Sequence, residues 1–189
     1  MTRTQEIRAR LHRDESGVAL VEFALVLPLL LLVLFGIFEF GRIFNYWIDQ
    51  THLANEAARW AVVNRNPGLD SPVNPTTCAP QVGATTTLQT YIRCQATTEE
   101  LRAGASGDQG SDPLQVYICF PNAGTPKIGD PVRVVVRTTY NYLPLIGDNL
   151  SGVFGDGAIS TSVPITASAT MRLEATPTNY AANPPPGGC

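Results

Sequence analysis

The chain has 189 residues, enough for one domain plus an anchor. Its net charge is −3, from 13 basic and 16 acidic residues; Lys127 is the one lysine and the arginines are scattered along the chain, which argues against nucleic-acid binding. Charged residues make up only 15%, below the usual quarter, as befits a membrane segment joined to a polar, uncharged, Thr-rich outer part.

Residues Thr2 to Ser16 are polar and carry Arg3, Arg8, Arg10 and Arg13. An apolar run follows, and from Phe23 to Phe38 it holds no charge at all. Crossing the hydrocarbon core takes about 20 mostly apolar residues, and Val18 to Phe40 meets that. A buried core helix this apolar on every face would need a large protein around it. Four arginines precede the span, against Arg42 and Arg59 soon after it, so the positive-inside rule puts the N-terminus in the cytoplasm. Phe44, Tyr46 and Trp47 suit the far interface. Glu39-Phe40-Gly41-Arg42 offers no small-x-small site for signal cleavage, so the apolar segment is expected to stay in the mature protein.

The sharpest signal is Ser16-Gly17-Val18-Ala19-Leu20-Val21-Glu22-Phe23. A basic leader ends at glycine, an apolar run begins at once, and a single glutamate stands five residues beyond the glycine. This resembles the processing site of type IV prepilins, where a membrane peptidase cuts after the glycine. The resemblance implies removal of 17 residues, with Val18 as the new N-terminus. Gly17 lets the peptidase approach its carbonyl closely and lets the backbone leave the helix. Glu22 would then lie one turn inside the apolar helix, where a carboxylate costs about 2.5–3.5 kcal/mol and needs a partner. The resemblance supplies one: the new amino terminus, of a neighbouring subunit or its own. The plainer alternative is a glutamate that snorkels to the head groups. Pro28 removes one backbone hydrogen bond and predicts a kink; it equally fits an ordinary membrane proline without a role.

Beyond the membrane, Ile43, Trp47, Leu53, Ala54, Ala57, Trp60 and Ala61 recur at helical spacing. They predict an amphipathic stem running to about Asn64 and stopped by Asn66-Pro67-Gly68. Gly68 to Gly83 reads as loop. A short helix is expected within Thr85 to Arg102, then a flexible connection over Ala103 to Pro113. Leu114 to Phe120 reads as a strand. Val132 to Tyr140 alternates, with Val132, Val134, Val136, Thr138 and Tyr140 on one face and Arg133 and Arg137 on the other. Pro126 to Asp130 makes the turn between them, and Ile159 to Leu173 is a third strand. The fold class is therefore α+β and pilin-like: a long N-terminal transmembrane helix whose stem packs on a small antiparallel sheet. Leu143, Leu145, Ile146, Leu150, Val153 and Phe154 are too apolar for a free loop; packing under the sheet is favoured over contact with lipid or another subunit. The domain organisation reads as a leader (1–17), a transmembrane helix (18–41), a stem (42–65), an outer α+β domain (66–174) and a Pro/Gly-rich tail (175–189) that is extended or disordered.

Cys78, Cys94, Cys119 and Cys189 all follow the apolar segment, so all lie on one side of a membrane. An even count there reads as two disulfides, with free buried thiols as the alternative. Of the three connectivities, Cys94 with Cys119, joining helix to sheet, is favoured, which leaves Cys78 with Cys189. No metal is expected: no two cysteines stand at zinc-ligand spacing, and His12 and His52 lie before or close to the anchor. No cofactor is implied. An enzyme is not expected either, since the outer part has no Ser-His-Asp set and no phosphate loop.

SGVALVEFALVLPLLLLVLFGIFEFGR, then ANEAARWAV, then VRVVVRTTYNYLPLIG and a last strand ending ATMRLEA resemble the TadE-like family, pilin-like proteins of the tight adherence (Tad, or Flp) pilus. The likeness covers about Gly17 to Arg65 and, more loosely, Asp130 to Ala175. It implies a minor pilin or pseudopilin, cut by a prepilin peptidase and serving pilus assembly and surface adhesion. The implied partners are membrane lipid, the peptidase and other Tad pilins and pseudopilins. The implied location is the bacterial inner membrane, with a single pass and the C-terminal domain outside, and the extracellular pilus beyond it. The family's processing residues carry over to Gly17, Val18 and Glu22. The major pilin of such systems is a very short peptide, and the full outer domain here sets this chain apart from it. The competing reading is an uncleaved bitopic protein whose outer domain is a binding module.

Overall fold

A computed structural model describes residues 3–98, 101–102, 113–122, 124–141 and 162–189, with side chains from residue 17 on, Asn141 excepted. The connection at 103–112 and the apolar stretch Leu143 to Phe154 lie outside the described residues. The elements in chain order are helix α1 (Arg3–Val62), a 3-10 turn (Pro67–Leu69), helix α2 (Leu88–Cys94) and strands β1 (Gln115–Cys119), β2 (Pro131–Asn141) and β3 (Ser162–Arg172). The chain divides into two compact units, Met1–Arg42 and Ile43–Cys189.

In the second unit the strands form one antiparallel sheet in the order β1-β2-β3. The β2 alternation holds as read: Val132, Val134, Val136, Thr138 and Tyr140 are buried. Val116 and Ile118 of β1 and Ile165, Ala167 and Ala169 of β3 lie on the same face. These side chains meet the stem in one apolar cluster that also takes in Leu88 and Ile92 of α2. Each large aliphatic side chain so buried contributes roughly 1.5–3 kcal/mol. The fold is α+β, a long N-terminal apolar helix with a small three-stranded antiparallel sheet.

The inward face of the stem differs from the one expected. Tyr46, Gln50, Leu53, Ala54, Ala57, Ala58, Ala61 and Val62 are buried, while Trp47 is half exposed. Tyr46 turns in, edge-on to Tyr140 with ring centroids 5.2 Å apart. Apolar spacing alone favoured Trp47 for this face; the stripe instead runs through Tyr46 and Gln50, two turns and one turn before the alanines. The stem alanines and the β2 valines belong to the same buried core.

The stem ends two residues earlier than expected, and Asn64 ends it. Its φ is +52°, the left-handed conformation that asparagine tolerates. Asn64 N–H donates to the Ala61 carbonyl (3.1 Å) and Arg65 N–H to the Trp60 carbonyl (3.0 Å), which is a Schellman cap. The loop that follows folds back on itself through the bridge Val73 to Pro80. Thr87 caps α2 by accepting from the Thr90 N–H. Asp49 of the stem accepts both the N–H and the hydroxyl of Thr97, pinning the chain just after α2.

The disulfides correct the favoured pairing. Cys78 joins Cys94 with Cα atoms 5.3 Å apart, and Cys119 joins Cys189 at 5.7 Å. Strand alternation decides this. Ile118 fills the core, so Cys119 points to the opposite face, away from α2. The folded-back loop carries Cys78 to the C-terminal end of α2 instead. The tail is extended but docked. Asn64 Oδ1 accepts from the N–H groups of Thr178 and Asn179, and the Tyr180 hydroxyl donates to the Ala61 carbonyl (2.8 Å). Asn183 bonds both the N–H of Ile118 and the carbonyl of Val116 on the outer edge of β1. A tail without a core of its own is thus ordered by the edge it covers.

Candidate functional site on the anchor and stem helix

From Gly17 to Phe38 every side chain is exposed except that of Leu27, which is half-buried. Leu20, Leu25, Leu32 and Phe40 are among the most open. A helix apolar on all faces and uncovered by protein suits lipid, not water. Val18 to Phe40 rises about 35 Å, against about 30 Å of hydrocarbon. By length and composition, one helix among the described residues can cross a membrane, and it is this one.

Gly17, Val18, Glu22 and Pro28 all lie on α1. Val18 and Glu22 are four positions apart, so they share a face one turn apart, at a rise of about 6 Å. Glu22 is exposed, and no described residue pairs with it. α1 continues through Pro28, where the helix lacks one donor to the Ala24 carbonyl. A side chain at Gly17 would touch nothing within 4 Å, as at Gly36 and Gly41, so packing within this chain does not require glycine there.

The far end of the apolar run is marked by Glu39, whose carboxylate lies 3.9 Å from the Arg42 guanidinium. That i, i+3 spacing is visible in the sequence. Phe44 and Trp47 are exposed with ring centroids 5.9 Å apart, as interfacial aromatics would be; Tyr46, expected with them, belongs to the core. The four cysteines form the two disulfides already described and take no part in this site.

The apolar anchor is uncovered, and the stem packs with the small sheet in one core. Residues 17–59 match the family model described as TadE-like protein, so the anchor and most of the stem are TadE-like. The match begins at Gly17; the looser likeness over Asp130 to Ala175 lies outside it. No curated protein and no solved structure matches the chain.

Proposed function

We propose that the chain is a minor pilin or pseudopilin of a Tad-type type IV pilus, processed by a prepilin peptidase and taking part in pilus assembly and surface adhesion. The TadE-like match over residues 17–59 carries this reading. In it the cut falls between Gly17 and Val18 at the cytoplasmic edge of the bacterial inner membrane. The outer domain lies on the far side, in the oxidising surroundings that two disulfides need. A glycine inside a helix costs about 0.5–1 kcal/mol relative to alanine. At Gly17, as at Gly36 and Gly41, an added Cβ meets no described atom within 4 Å, which leaves room for a partner that reads the backbone. Glu22 is the assembly contact. Its carboxylate pairs with the amino terminus of Val18, of the same or a neighbouring subunit, as the helix leaves lipid for the filament. Other Tad pilins and pseudopilins are the partners.

Mass spectrometry of protein extracted from membranes tests the cut. Loss of Met1 to Gly17 is expected, and an intact N-terminus in cells with an active prepilin peptidase refutes it. Gly17→Leu should block the cut. Glu22→Ala should leave the cut and lose assembly, and normal assembly by that variant removes the pairing role. One observation favours the uncleaved bitopic reading: α1 is unbroken from Arg3 to Val62, so the bond after Gly17 must unwind before a peptidase can take it.

A further inference from the structure

The three strands together hold three arginines and no carboxylate. Strand register brings all three to one face. Arg133 and Arg137 alternate with the buried Val134 and Val136, so they stand on the side away from the stem. Arg172 lies opposite Pro131 on that same side. Arg137 and Arg172 are exposed and Arg133 is half-buried. No ion pair or hydrogen bond engages any of the three guanidinium groups among the described residues. Tyr117 of β1 faces Val135 and so sits between Arg133 and Arg137 across the strands. Thr166, Ser168 and Thr170 of β3 line the other flank, all exposed. Beside the β1 edge, Arg93 of α2 borders a cavity of about 220 Å³ that reaches Gln115 and Tyr117, and its Nε is buried without a partner among the described residues.

Three aspartates elsewhere in this unit are engaged: Asp49 with Thr97, Asp70 with Arg65, and Asp130 with Asn122 and the Lys127 N–H. An ordinary solvated face mixes both signs of charge. Among the described residues of the three strands this face carries basic charge alone, with Glu174 just beyond the end of β3, on a chain of net charge −3.

We propose that this sheet face docks an extended, carboxylate-bearing polysaccharide. Guanidinium groups are planar forks that take carboxylates in two parallel hydrogen bonds. From the level of Arg172 to that of Arg137 is six residues along β2, about 20 Å, which suits a polymer and not a single small anion. The Tyr117 ring offers an apolar platform for a sugar ring, and the Ser and Thr hydroxyls match sugar hydroxyls. A nucleic acid duplex is less well matched, because its affinity rests on many neutralised phosphates and this face offers three cations. The inference goes beyond pilus assembly and stands whether or not the leader is removed.

The test uses the full chain in a nonionic detergent, titrated with polygalacturonate, with neutral dextran and duplex DNA of equal charge as comparisons. Polygalacturonate is expected to bind, more weakly as salt is raised, and dextran is not. Arg133→Gln with Arg137→Gln and Arg172→Gln should weaken binding by about tenfold or more at an unchanged melting temperature. Ser168→Lys adds a charge beside Val135 and should tighten it. The proposal is overturned if polygalacturonate does not bind, if dextran binds equally, or if the triple variant binds as wild type does. Tighter binding of DNA would overturn it in favour of a nucleic-acid surface. Should the triple variant fail to fold, Ser168→Lys decides, and no tightening overturns the proposal.

Discussion

Gln50 is the place where the core departs most from its own chemistry. It lies on the stem between Tyr46 and Leu53, is fully buried, and neither Nε2 nor Oε1 has a hydrogen-bond partner among the described residues. A buried donor or acceptor left unmade costs about 1–3 kcal/mol. Gln50→Met keeps the length and nearly the volume of the side chain, so it opens no cavity and overpacks nothing, while removing both polar atoms. The outer unit should therefore gain about 1–3 kcal/mol. For a unit the size of Ile43–Cys189 each kcal/mol moves the melting temperature by about 2–4 °C. A rise of about 2–12 °C is expected. The assay is thermal unfolding of the full chain in nonionic detergent, followed by the fluorescence of Trp47 and Trp60 on the stem. A lowered midpoint for Gln50→Met refutes the reasoning, because it means that the amide is bonded, to a buried water or to a group that arrives on assembly.

Gly68→Ala should destabilise the outer unit by about 1–3 kcal/mol. Its new Cβ would stand 2.7 Å from Thr86 Cγ2, and two hydrogen bonds to Val73 hold Thr86 in place; pairing it with Thr86→Ser should restore part of the loss in the same melt. Cys189→Ala opens a ring of sequence separation 70. By chain entropy it should cost about 4 kcal/mol, and limited proteolysis should cut the freed tail first; an unchanged melt would mean that the other tail contacts suffice. Burial pushes the Tyr180 phenol up from 10.0 to about 12. The folded state then keeps its proton while the unfolded state loses it, so stability should fall as pH rises from about 10 toward 12. Tyr180→Phe should flatten that slope in melts taken across the range.

Much of this protein was legible along the chain because it depends on local order. The anchor needs only length and uniform apolarity. That Val18, Glu22 and Pro28 share one helix follows from the unbroken apolar pattern around them. β2 alternates so regularly that its two faces, valine and arginine, could be told apart before any partner strand was known. These are one-dimensional signals, and the residues that carry them are neighbours.

Long-range geometry set the rest. Whether Trp47 or Tyr46 faces the sheet turns on which side of the helix β2 approaches, and hydrophobicity does not separate the two. The cysteine pairing followed from the alternation at Ile118 and Cys119 together with a loop folded back through Val73 and Pro80, neither of which Cys spacing encodes. The tail has no periodicity of its own and is ordered by an edge strand about 65 residues earlier, the separation of Ile118 and Asn183. Arg172 joined Arg133 and Arg137 only through the pairing of β3 with β2. The sequence by itself therefore determined the apolar anchor helix and the class of fold. Tertiary structure decided which faces meet, which thiols pair and where charge collects, because those depend on distances between residues that the chain order keeps far apart.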